Sequence, residues 1–322
     1  MNHEKPPRPL THWHWPEQTQ ADAHTLIDDW HRLATHLHLA TASTYVWQCG
    51  RGEPVLCLHG VPTSAYVYRW LLPALARQGV HAMAIDWPGM GLADRPDRFD
   101  YSWCGLARWL SDALHALGLR RVHLVSHSIA GPIALECMRL IPDQVASLTV
   151  ISSMMATATY RRPWYMSALS WPVLGPIYLK NLRSAWFESL YRHYGVCRDM
   201  PRGEILSHLA LLLRQDEGAA FLRIMRGFVK TRDFEQNIRQ SILKNPLPTQ
   251  LIWGDQDQAV DFHRHADEAC SVLGCGKTLR LSGGHFLSED SPEELAQSIA
   301  SFVGAHSIEI DTRHHMRSSG IW

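Results

Sequence analysis

Several marks of destination and partnership are missing from this sequence. No apolar h-region follows Met1-Asn2-His3-Glu4-Lys5-Pro6-Pro7, so the N-terminus does not read as a secretory signal. No apolar run has the length that spans a bilayer; residues 205–213 are short and interrupted by Ser207 and His208. An excess of one charge is missing too. Lys+Arg and Asp+Glu stand at 31 each, which leaves no basic field for nucleic acid or anionic lipid. The 7 cysteines are odd in number, scattered and never spaced C-x-x-C. A disulfide frame and a zinc site are therefore not expected, and reduced thiols in a cytoplasmic protein are. The 20 histidines never fall into H-E-x-x-H or another ligand spacing, and His12, His14, His314 and His315 read as solvated surface near the chain ends. Internal repeats and low-complexity tracts are absent. No metal, cofactor, nucleic-acid partner or membrane span is expected.

What is present is enough apolar residue, 46%, to build a large core. A chain of 322 residues exceeds one simple domain, so one large α/β domain or a core with an insert is expected. Residues 1–19 read as an extended arm. Leu26, Trp30, Leu33 and Leu37 have helical spacing and predict a helix over 21–39. Strands are predicted over 43–48 and at Pro54-Val55-Leu56-Cys57-Leu58, the latter apolar throughout like a strand buried on both faces of a parallel sheet. A helix over 66–78, a strand over 81–85 and a helix over 102–117 follow. Then come a strand over 122–126, a helix from 129 to about 140 and a strand over 147–152. Such alternation implies parallel strands joined by right-handed crossovers, with ligands beyond their carboxyl ends.

From about 154 to 245 the alternation stops. This stretch is helical and aromatic, with Tyr160, Trp164, Tyr165, Trp171, Tyr178, Trp186, Phe187, Tyr191, Tyr194, Phe221 and Phe228. Most are expected to form the core of a lid, with a few facing a pocket. Alternation resumes with a strand over 249–253, a helix over 262–273, a strand over 277–281 and a helix over 291–303. The expected division is an arm and helix (1–40), a first part of the core (41–153), a helical cap (154–245), a second part of the core (246–305) and a tail (306–322).

Chemistry gathers at the strand ends. Val122-His123-Leu124-Val125-Ser126-His127-Ser128-Ile129-Ala130 runs from strand to helix through a serine, the layout of a nucleophile elbow. Close backbone approach at such a turn requires small residues two before and two after the serine. Here they are Ser126 and Ala130, where G-x-S-x-G has glycines. A serine hydroxyl needs a base to take its proton and a carboxylate to orient that base. Ser128, Asp257 and His285 supply these in the order Ser…acid…His, with Asp255 as a rival acid. Backbone N–H groups of Ile129 and of Val61 are placed to hold an oxyanion.

The chain resembles the α/β-hydrolase superfamily, and within it the capped branch of epoxide hydrolases and haloalkane dehalogenases. The resemblance rests on His59-Gly60-Val61-Pro62-Thr63-Ser64 with Arg69, Asp86-Trp87-Pro88-Gly89-Met90-Gly91 with Asp94 and Pro96, and the elbow. It rests also on Trp253-Gly254 with Asp257 and on Gly284-His285-Phe286 with Glu289-Asp290-Ser291-Pro292. It implies an α/β-hydrolase fold, a mostly parallel doubly wound sheet with an inserted helical cap. It also implies Ser128, Asp257 and His285 as nucleophile, acid and base, preferring Asp257 to Asp255, and structural turns at Asp86 and Asp94. Epoxide hydrolases and dehalogenases use an aspartate nucleophile, and position 128 is serine. Dehalogenases also place Asn and Trp as halide donors where this chain has Val61 and Ile129. Acyl transfer is therefore expected: a cytoplasmic serine hydrolase of carboxylic esters of small or medium hydrophobic molecules. A C–C bond or lactone hydrolase with the same triad, or a lid-gated small-molecule receptor with little turnover, are the alternatives.

Overall fold

The structure is a computed structural model that describes residues 21–307. The arm at 1–19, nearly all of the tail, and His12, His14, His314 and His315 lie outside the described residues. Eight strands form one sheet in the order β1 (Thr35–Leu37), β2 (Thr44–Cys49), β4 (His81–Ile85), β3 (Pro54–Leu58), β5 (Val122–His127), β6 (Val145–Ile151), β7 (Thr249–Gly254), β8 (Thr278–Leu281). At one edge β1 pairs antiparallel with β2 and β2 antiparallel with β4, and the other pairings are parallel. β5 and β6 are buried at every position, as strands with helices on both faces must be.

Helices α1 (Ala23–Arg32), α2 (Leu71–Arg77), α3 (Trp103–Ala116), α4 (Ala130–Leu140), α11 (Phe262–Leu273), α12 (Leu287–Asp290) and α13 (Pro292–Ala305) accompany the sheet. Local chemistry sets several of their starts. Asp22, Ser102 and Asp261 cap α1, α3 and α11 by accepting from the N–H groups of Thr25, Gly105 and Arg264. Between β6 and β7 lie α5 (Trp164–Ser167), α6 (Leu174–Lys180), α7 (Ser184–Tyr194), α8 (Arg202–Leu213), α9 (Ala219–Arg226) and α10 (Arg232–Lys244). No helix among the described residues is long and apolar enough to cross a membrane.

Two elements depart from expectation. The helix expected over 21–39 stops at Arg32, and Thr35–Leu37 becomes an edge strand with Leu37 opposite Thr44. Leu33 and Leu37 fit a helical stripe, but β-branched Thr35 and the His36–Tyr45 ring contact favour the sheet edge. The helix expected over 66–78 breaks into a 3₁₀ turn at Ala65–Tyr68 and α2. Pro73 explains the start of α2: it has no N–H, and as the third helical residue it needs none.

The aromatic stretch also departs from the expected balance. Eight of its eleven aromatics line one pocket; the exceptions, Trp164, Trp171 and Trp186, face outward.

Candidate active site

β5 ends at His127, Ser128 turns the chain with φ 55°, and α4 begins at Ala130. A serine in the left-handed region is costly unless the surroundings hold it. Its N–H is fixed to Ile151 O at 3.0 Å, and the Ser153 hydroxyl donates to its carbonyl. Ser126 and Ala130 are both fully buried, so these small residues fill the sites where the usual pattern has glycine. Gly60 is required by proximity. A Cβ there would lie 2.7 Å from the Ser128 Cβ, so the turn after β3 packs directly on the elbow.

The loops after β7 and β8 bring Asp257 and His285 together. His285 Nδ1 lies 2.9 Å from Asp257 Oδ2, and Asp257 Oδ1 accepts from the N–H groups of Ala259 and Val260. An ionised carboxylate only accepts, so Nδ1 carries the proton and Nε2 keeps its lone pair. Asp255 is exposed and accepts from the Gly283 N–H instead. Ser128 and His285 line the same pocket, and among the described residues no hydrogen bond joins the serine hydroxyl to the ring. Such contacts commonly tighten only with substrate bound.

Val61 and Ile129 line that pocket beside Ser128, and both are buried. Among the described residues neither amide is engaged by a protein acceptor. Backbone N–H groups beside a hydroxyl can receive an oxygen that carries developing negative charge.

The pocket encloses about 910 Å³ of space not filled by atoms, its open mouth included. Its walls are mainly apolar, with two polar features that sequence reasoning missed. The Tyr191 hydroxyl is buried without a partner. Arg162 is the only arginine or lysine among the described pocket residues; it donates to Met225 O, stacks on Phe228 at 4.1 Å and pairs with no carboxylate.

Polar contacts support the His285 loop. Asp290 accepts from the N–H groups of Gly284, Cys197 and Arg198, and Phe286 N–H donates to Gly195 O at 2.8 Å. These bonds fasten the loop to the stretch between α7 and α8. His127, next to Ser128, donates from Nε2 to the His285 carbonyl at 2.9 Å. His59 accepts the Trp87 N–H at Nε2, so its Nδ1–H donates to Gly60 O. Asp86 accepts from Ala65 and Leu92, and Asp94 from Ser43, as turn-forming carboxylates do.

Burial holds His59 and His123 down to about 4, His127 well below the usual range, and His208 below it despite Glu289 alongside. The unfolded chain therefore binds more protons than the native one between the ordinary histidine value and about 4. Stability is lost as pH falls through that window. Asp86 acts in the opposite sense, since burial raises it to about 6. Four histidines outweigh one carboxyl, so calorimetry should show a melting temperature several degrees lower at about pH 5 than at about pH 7.5. A flat or rising profile would mean that these rings charge in the folded state.

Comparison with known proteins bears on the family and the fold. The model of the "Alpha/beta hydrolase family" matches residues 55–298. An uncharacterized hydrolase of Bacillus subtilis, YugF, is 25% identical over 271 residues, 78% of this chain and 90% of its own. Monoacylglycerol lipase abhd6-A of Xenopus laevis is 25% identical over 290 residues, 82% of this chain and 81% of its own. The crystal structure of a haloalkane dehalogenase loop variant, DbeA-M1 of Bradyrhizobium elkanii, superposes with a TM-score of 0.71. It is 22% identical and covers 84% of this chain and 96% of its own, a likeness of fold.

Proposed function

The chain belongs to the alpha/beta hydrolase family, and on that footing we propose that it is a serine-dependent hydrolase of carboxylic esters with a hydrophobic acyl or alcohol part. One observation carries the reading. A serine on a left-handed turn shares a pocket with His285, which is paired with Asp257, and with the Val61 and Ile129 amides, which no protein acceptor engages among the described residues. His285 Nε2 takes the Ser128 proton as Oγ attacks the acyl carbonyl, and Asp257 holds the ring in the required tautomer. The Val61 and Ile129 amides receive the developing oxyanion, a function that depends on backbone alone. His285 then protonates the departing alcohol, and water activated by the same ring releases the acid. These steps call on no metal or cofactor. Helices α5–α9 supply the pocket's apolar wall and act as the cap. The relative named as a monoacylglycerol lipase is in keeping with an ester substrate.

The experiment is a time course with p-nitrophenyl esters of increasing acyl length, with intact-mass analysis after a fluorophosphonate. Steady turnover with a preferred length, and a single adduct on Ser128, is the expected outcome. A burst without turnover would favour the receptor-like reading. Arg162 favours a second reading with the same triad. A cation without a carboxylate partner in an apolar wall suits a substrate that carries an acid group. If simple esters are not cleaved, product analysis on a ring-cleavage dienoate or a lactone separates C–C and lactone hydrolysis from the first reading.

A further inference from the structure

The helices that wall the pocket are apolar on both sides. Leu169, Leu179 and Phe187 are buried and line the pocket. On the opposite side Trp164, Trp171, Val173 and Ile177 are 66%, 58%, 69% and 54% exposed, accompanied by Leu174 and Trp186. They form one neighbourhood. Gly175 N–H donates to Trp171 O, Trp186 Nε1 donates to the Tyr178 hydroxyl at 3.4 Å, and Arg226 of α9 reaches Pro172 O. A helix that is apolar all round and yet lies at the surface needs a second apolar phase to cover it.

Charge identifies that phase. The chain as a whole is neutral, but from 144 to 187 it contains no Asp or Glu. Within that stretch Arg161, Lys180 and Arg183 are exposed, and Arg226 joins them from α9. None of the four pairs with a carboxylate among the described residues. A second copy of the same face would oppose cation to cation. Val173, Leu174 and Ile177 lie among the tryptophans as aliphatic side chains that interrupt a stacking platform for nucleic-acid bases. Tryptophan among aliphatic residues, ringed by arginine and lysine, suits the headgroup level of an anionic bilayer.

We propose that the outer face of α5–α7 docks on an anionic lipid surface, with the pocket wall on the inner side of the same helices. A hydrophobic substrate dissolved in the bilayer then lies one helix layer from Ser128. The inference does not depend on the chemistry assigned to Ser128, because docking uses none of the pocket residues.

The test is sedimentation of the full chain with vesicles of phosphatidylcholine alone or mixed equally with phosphatidylglycerol. Binding to the anionic vesicles should exceed binding to the neutral ones by about 10-fold in low salt and weaken in high salt. The combined Trp164→Ser, Trp171→Ser and Ile177→Ser variant should lose about 10-fold in binding, since the inserted apolar area is gone. Its hydrolysis of a soluble p-nitrophenyl ester should be unchanged, which also shows that it folds. Arg161→Glu with Lys180→Glu should abolish the preference for anionic vesicles. Ser128→Ala should sediment like wild type whether or not the esterase reading holds. No sedimentation, equal binding by the variants, or a wild-type dimer in light scattering that the triple variant disperses would each overturn the proposal.

Discussion

Ser128→Ala should lower kcat on a p-nitrophenyl ester by about 10⁴- to 10⁶-fold while leaving the melting temperature within a degree or two. The size follows from what one atom supplies under the proposed mechanism: without Oγ no acyl-enzyme can form, and only the Val61 and Ile129 amides and the pocket remain to assist water. Stability should hold because the left-handed φ of 55° costs alanine about what it costs serine, and the Ser128 N–H and C=O keep their backbone and Ser153 partners. His285→Ala should cost a similar factor. Asp257→Asn should cost about 10⁴ by favouring the wrong tautomer, although its Oδ1 contacts to Ala259 and Val260 survive. Groups that act as one unit are not additive, so Ser128→Ala with His285→Ala should be no slower than either alone. A variant that retains activity would remove Ser128 from the role of nucleophile.

Arg69→Met should be the most destabilising of the simple substitutions, at about 3–5 kcal/mol. The guanidinium is fully buried and pairs with Glu289 on one side and Glu204 of α8 on the other. Burial alone would raise the Glu289 carboxyl, but Arg69 and His208 outweigh it and hold Glu289 at about 2. Without Arg69, two buried carboxylates are left with half-exposed Arg198 and with His208. A fall in melting temperature of roughly 10 °C is expected for a chain of this size. The same cluster ties the His285 loop, through Glu289, to α8 and to the core. Activity should therefore drop as well, with KM changing less than kcat. Adding Glu204→Gln and Glu289→Gln should recover part of the lost stability, because the uncompensated charges are then gone. An unchanged melting temperature in Arg69→Met would show that water already compensates these carboxylates.

How much of this was legible in the sequence differs from element to element. The apolar run 54–58 could only be an interior strand, and the resemblance carried by His59-Gly60, Trp253-Gly254 and Gly284-His285 gave the superfamily that the family match shows. Strand and helix limits inside the core come from local patterning, and most differ from expectation by a residue or two. The register of the edge is another matter. Leu33 and Leu37 satisfy a helical stripe and an edge strand equally, and only the partner strand Thr44–Cys49 decides between them. The choice of Asp257 beside His285 is likewise tertiary, since two carboxylates two residues apart are chemically alike and loop geometry separates them.

Long-range effects were the least visible. The part played by His127 depends on a carbonyl 158 residues away, and the Arg69 cluster joins residues up to 220 apart. Net charge was misleading in one respect. Equal totals of acid and base excluded a basic field over the whole molecule, yet the acid-free stretch 144–187 was already written in the chain. What the sequence could not show is that its tryptophans turn outward while its tyrosines and Phe187 turn in. Composition alone determined that this stretch would be aromatic and basic. Only packing against the sheet and the pocket decided which face met water, because the inner side is selected by the space above Ser128, and residues far apart in sequence create that space.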